Sequence, residues 1–177
     1  MRNLYLENIS DSLFFIKRDI IKDVEDSKPD TLKSTDLNFQ VNSKYKDYLY
    51  NIFISRCKKL LNNFSLSNDK LYLWSYYTDK NSNDTIYHNH ERTSTINGVI
   101  YIKTVDNCGI NFIDEDDKVC YYEPNDFDLL IFPNYVKHKP VTSKLETRIS
   151  LNLELECLEN VNSIFKNERT KLNLKYE

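Results

Sequence analysis

Arg148-Ile149-Ser150-Leu151-Asn152-Leu153-Glu154-Leu155 alternates polar and apolar side chains without a break. Successive side chains of a strand point to opposite faces. Ile149, Leu151, Leu153 and Leu155 therefore form one packing face, and Arg148, Ser150 and Asn152 lie on the other. That polar face has two readings. It meets solvent, or it lines the mouth of a barrel whose helices stack on the apolar face.

The chain before this strand decides the fold class. From Lys70 onward, β-type runs alternate with turns rich in Asn and Asp: Leu71–Tyr77, Thr85–His90, Ile96–Lys103, Gly109–Ile113, Lys118–Tyr122, Asp128–Phe132, Lys137–Thr142 and Thr147–Glu156. About eight short strands at this spacing read as a sandwich or barrel. Ahead of them, Ser43 reads as the N-cap of a helix running to about Asn63. Its apolar residues Tyr45, Tyr48, Leu49, Ile52, Phe53, Leu60 and Leu61 recur at three- and four-residue steps. Such a stripe is expected to pack on the outside of a sheet. Leu4 to Phe15 reads as a strand-like or helical opening, and Leu37-Asn38-Phe39 as an extended piece. The expected organisation is one domain over 1–177: mixed helical support (1–69), a β core (70–157) and a C-terminal helix or tail (158–177).

Composition narrows the function classes. A formal net charge of -3 over 177 residues argues against a nucleic-acid-coating surface, and 13% aromatic content argues against disorder. With only Gly98 and Gly109, neither a P-loop nor a dinucleotide fingerprint can be built. The opening residues 1–21 mix charged and apolar side chains, and no stretch has the length of a membrane span, so no signal peptide and no membrane association are expected. Cys57, Cys108, Cys120 and Cys157 are scattered without a C-x-x-C pair, which reads as reduced thiols in a cytoplasmic protein.

The chain has three histidines: His88, His90 and His138. His88 and His90 share a face if their run is a strand, and His138 opens a later run. Two imidazoles at i, i+2 with one distant partner suit a three-point site that leaves coordination positions free. Alone, an H-x-H pair reads sooner as a surface or core pair. The residues downstream change that balance. Arg148 lies ten positions after His138, with Ser150 on the same face. A guanidinium is the natural partner of a buried carboxylate, and a neighbouring hydroxyl can serve a second oxygen. A metal site beside such an anchor fits a chelated 2-oxo-dicarboxylic acid.

These pieces resemble the iron(II)/2-oxoglutarate-dependent oxygenase superfamily, and more narrowly a group of 2OG-Fe(II) oxygenases common in phages and marine bacteria. In order they are Trp74-Ser75, His88-Asn89-His90, Asn97 to Ile102, Leu130-Ile131-Phe132-Pro133 through His138, and Arg148 to Asn152, within Leu73 to Leu153. The resemblance implies a double-stranded β-helix (jelly roll), mainly β with flanking helices and buttressed by the N-terminal helix. It implies Fe(II) on His88, His90 and His138, and 2-oxoglutarate held by Arg148 and Ser150. Tyr101 falls where prolyl-hydroxylase-like members keep a tyrosine on the same carboxylate, although a core tyrosine is an equal reading. The implied reaction converts 2-oxoglutarate to succinate and CO2 while hydroxylating a C–H bond.

One departure stands out. Most members have H-x-Asp, and here His90 occupies the carboxylate position, which raises the charge of the site by one unit. The phage-type group carries H-x-H as well. Two rivals stay open. A cupin shares the jelly roll and H-x-H but usually adds a glutamate where Ser94 and Thr95 stand, and it has no need of R-x-S. A catalytically inactive binding or structural jelly roll is the other. The acidic run Asp114-Glu115-Asp116-Asp117 reads as a solvated turn. The substrate class stays open among small molecules, peptides and nucleobases.

Overall fold

The computed structural model describes residues 3–30, 37–61, 65, 72–158 and 174–176. Two antiparallel sheets form its β framework. The larger has six strands in the order β1 (Tyr5–Asn8), β7 (Asp128–Pro133), β4 (Ile96–Lys103), β9 (Arg148–Leu155), β3 (Tyr72–Thr78) and β2 (Asn38–Gln40). The smaller has four, in the order β10 (Lys175–Tyr176), β6 (Val119–Tyr122), β5 (Ile110–Ile113) and β8 (His138–Pro140).

Strand β9 sits centrally, paired along its length with β3 on one side and β4 on the other. Its apolar face does what the alternation requires. Ile149, Leu151, Leu153 and Leu155 are all buried in a core shared with Ile20 and Val24 of α2 (Lys17–Ser27) and Leu49, Ile52 and Phe53 of α3 (Lys46–Leu60). A second core lies between the sheets and contains Val99, Tyr101, Leu130 and Phe132 from the larger sheet with Ile110, Phe112, Cys120 and Tyr122 from the smaller. Strand β4 serves both layers by the same period of two: Ile96, Ile100 and Ile102 face the helices, and Val99 and Tyr101 face the other sheet.

Gly98 shows how closely α3 lies on this sheet. A Cβ at that position would stand 2.5 Å from Phe53 Cε2, so the strand has no room for a side chain under the ring. Farther along β4 the register with β9 shifts between Tyr101 and Lys103. The Tyr101 carbonyl there accepts a hydrogen bond of 2.6 Å from the amide of Phe127, a residue held at φ 70°. This local irregularity fixes the end of β4 beside Tyr101.

Several expectations need correction. The helix begins at Lys46, because Ser43 Oγ accepts from the Tyr45 amide in a turn and donates to Asp23 instead of capping. Tyr48 is exposed, and Tyr50 and Cys57 are buried in its place. Helix α2 was not anticipated, although Ile20, Ile21 and Val24 recur at helical spacing and pack on the core. Residues 85–90 form no strand; a single bridge joins His88 to His138, because only the short edge strand β8 is available as a partner. The opening segment divides into β1 and a short helix, α1 (Ser10–Leu13). The expected C-terminal helix or tail falls mostly on 159–173, outside the described residues, while Lys175–Tyr176 adds a strand to the smaller sheet. Among the described residues no helix is long and apolar enough to cross a membrane.

Because Phe53 is fully buried against β4, Phe53→Ala should remove about 3–5 kcal/mol of stability. Urea denaturation of the two proteins measures this, and a loss under 1 kcal/mol would mean that the helix is not packed as described.

Candidate metal centre and its cavity

The polar face of β9 is turned toward a cavity, with Arg148 and Ser150 buried and Asn152 and Glu154 partly exposed. Arg148, Ser150, Asn152 and Glu154 all line a cavity of about 400 Å³, together with Asn97, Val99 and Tyr101 from β4 and Tyr76 from β3. The pairing explains the grouping. Tyr76 lies opposite Ser150 on one side and Tyr101 lies opposite Ser150 on the other, so three side chains form a row across the sheet. Of the two readings of this face, the barrel interior is the one realised.

Arg148 is 1% exposed, one of the largest fully buried side chains of the protein. Its guanidinium lies between two aromatic rings, 5.4 Å from the centre of Tyr76 and 5.3 Å from that of Tyr101. Its Nε and Nη1 are buried without a hydrogen-bond partner, as are the hydroxyls of Tyr76 and Tyr101. No carboxylate pairs with this cation among the described residues. Burial pushes the Tyr101 phenol well above its ordinary pKa, with the Arg148 charge opposing the shift, so the hydroxyl stays a proton donor. Buried donors without acceptors and an unpaired cation are costly. Together they form a cradle for an anion.

The same cavity is lined by the three histidines, whose ligand atoms all lie within 4.8 Å of one another. Ring centres are 4.4 Å apart for His88 and His138, 5.2 Å for His90 and His138 and 5.3 Å for His88 and His90. His138 starts β8 and is buried against Phe112 and Phe132. The bridge between His88 and His138 brings the H-x-H segment to it, through paired hydrogen bonds of 3.0 Å each way. The His90 amide donates to the Asn134 carbonyl at 2.8 Å and anchors the end of that segment.

The tautomers follow from the contacts. His88 Nδ1 is 3.2 Å from the Ile86 carbonyl and His138 Nδ1 is 3.0 Å from the Val136 carbonyl. A carbonyl only accepts, so Nδ1 carries the hydrogen in both rings and Nε2 keeps its lone pair. Partial loss of hydration lowers the pKa of His88, which is still partly exposed, and burial pushes that of His138 down to about 3, with the neighbouring His88 adding to the effect. Both rings are therefore neutral near pH 7, the form that binds a metal ion. The residues present suit a cation of N-ligand preference next to a bound anion.

No protein-family model matches the sequence, and neither does any curated protein. Solved structures do match in fold. A prolyl-4-hydroxylase from Pseudomonas putida aligns with a TM-score of 0.61 at 11% identity, over 88% of this chain and 93% of that one. A prolyl hydroxylase from Trichoplax adhaerens, solved with a peptide fragment of the hypoxia-inducible factor oxygen degradation domain, aligns with a TM-score of 0.61 at 12% identity, over 87% and 83%. A non-heme α-ketoglutarate-dependent carbocyclase from nogalamycin biosynthesis aligns with a TM-score of 0.61 at 10% identity, over 88% and 80%. The fold is the jelly roll that these structures share. At these identities the likeness concerns backbone architecture, and the site must be argued from its own residues.

All six residues singled out in the sequence (His88, His90, His138, Arg148, Ser150 and Tyr101) line this one cavity. Tyr76 lines it as well. Tyr77 packs in the outer core, and Tyr122 donates to the buried Asp128. Asn97 and Glu154 were missed. Glu154 is the fourth polar member of the β9 alternation, so the signal for it was present. Asn97 is 3% exposed with an unpartnered Nδ2, which sequence pattern does not reveal.

The depressed pKa of His138 has a consequence for the metal-free protein. The unfolded chain takes up a proton near pH 6.5 that the folded chain refuses until about pH 3. This contribution to stability is complete above pH 6.5 and drains away as pH falls toward 3. Between pH 7 and pH 5 it amounts to about 2 kcal/mol. Urea midpoints at the two pH values should fall farther apart in wild type than in His138→Gln; equal gaps would remove the effect.

Proposed function

We propose that this protein is an Fe(II)- and 2-oxoglutarate-dependent oxygenase, a hydroxylase of the type whose metal ligands include H-x-H. The observation that carries the proposal is the unpaired, fully buried Arg148 in the same cavity as three converging imidazoles. A cupin-type metal site needs no such cation. In this reading 1–177 acts as one oxygenase unit, with the helices supporting the larger sheet.

The residues divide the work. His88, His90 and His138 hold the metal through their Nε2 atoms, with His88 and His138 oriented by backbone carbonyls. Arg148 binds the distal carboxylate of the keto acid, with the hydroxyls of Ser150 and Tyr101 as further contacts. Tyr76 covers the other side of the guanidinium. When bound, the ferrous ion and 2-oxoglutarate supply the chemistry: O2 is consumed, the keto acid leaves as succinate and CO2, and one oxygen atom enters a substrate C–H bond. The protein holds the cosubstrate in one pose and keeps water away from its buried end. No side chain has to act as acid or base. The cavity leaves room for part of a substrate, whether a small molecule, a peptide side chain or a nucleobase.

Anaerobic addition of Fe(II) and 2-oxoglutarate should produce a weak visible charge-transfer band that is lost in His138→Ala. Arg148→Ala should weaken 2-oxoglutarate binding by about 2–3 kcal/mol, since a charge-assisted contact is lost in a buried place. Unchanged affinity in that variant would take Arg148 out of its role. Absence of both the band and succinate formation in wild type would leave a non-enzymatic jelly roll.

A further inference from the structure

Glu154 stands at the opposite end of the β9 polar face from Arg148 and lines the same cavity. Its Oε1 lies 3.3 Å from Nδ1 of His90, with only 17% of the glutamate side chain and 21% of the histidine side chain exposed. The three imidazoles are thus not equivalent. His88 and His138 have Nδ1 against neutral carbonyl oxygens, whereas His90 has it nearest a carboxylate, with the Thr93 hydroxyl farther off at 3.5 Å.

This difference matters for charge. Three neutral imidazoles cancel none of the charge of a divalent ion. A carboxylate on the remote nitrogen of a coordinating imidazole makes the ring a stronger donor and fixes its orientation. A solvated surface pair would contribute little, but this pair is largely covered and faces the cavity interior. Resting on the metal-site reading above, we propose that Glu154 is a positioning residue for the metal centre. It turns Nε2 of His90 toward the other two rings and, through the imidazole, returns negative charge to the site.

The test uses Co(II) alone, without keto acid, on four full-length proteins: wild type, Glu154→Gln, His90→Asp and the double variant. Affinity and the visible d–d bands are read, with thermal midpoints of the metal-free proteins as the folding control. Glu154→Gln should weaken Co(II) binding by about 10- to 100-fold and shift the bands. In the His90→Asp background the same replacement should leave affinity unchanged or tighten it, because the ligand carries its own charge and no ring needs orienting. Equal losses in both backgrounds would mean a structural role and overturn the proposal. So would a wild type that binds Co(II) beside an indifferent Glu154→Gln. A wild type that takes up no Co(II) would instead remove the metal site, and this role with it. Should Glu154→Gln not fold, Glu154→Asp supplies the comparison; an intermediate loss is expected, and no change would again overturn the proposal.

Discussion

A guanidinium with almost no solvent contact, and among the described residues no carboxylate to neutralise it, sits on the central strand of the larger sheet. Burying a charge in this way costs several kcal/mol unless something compensates. Two tyrosine faces contribute about 1–2 kcal/mol each by cation–π attraction. That leaves Nε and Nη1 still waiting for an acceptor. Sheet pairing holds the arrangement in place, since Tyr76 and Tyr101 flank Ser150 on strands bonded to β9 along its length. The helices then seal the far side of the same strands with apolar contacts.

The metal centre rests on a second, cheaper device. Backbone carbonyls of Ile86 and Val136 choose the tautomers of His88 and His138, so no additional side chain is spent on those two rings. Both carbonyls belong to residues two positions before their histidine. The bridge between His88 and His138 sets the spacing of the rings, and the two carbonyls set the direction of their lone pairs.

Much of this was legible in the sequence because the relevant signals are periodic or rare. Strict alternation in β9 separated packing from polar residues, and three histidines in the whole chain left few ways to build a cluster. What was not legible depends on partners distant in sequence. Residues 85–90 have strand-like composition, but a strand needs a long neighbour, and β8 offers only three residues. Asn97 looks like an ordinary strand residue until its unpaired amide is seen inside the cavity. Helix α2 is a different case, because Ile16, Ile20, Ile21 and Val24 recur at helical spacing and its signal was present in the sequence. Ser43 has the chemistry of a cap, yet Asp23, twenty residues away, takes its hydroxyl.

The placement of β9 also shapes how the chain can assemble. Strands β3 and β4 never bond to each other; each reaches the other only through β9, which is made long after both. During synthesis, the edges of β3 and β4 that await it must stay unpaired until the ribosome has passed residue 155. Pairings between residues this far apart in sequence delay folding and leave sticky edges open to neighbours. A nascent chain ending before β9 lacks the middle of its larger sheet, so that sheet is completed late.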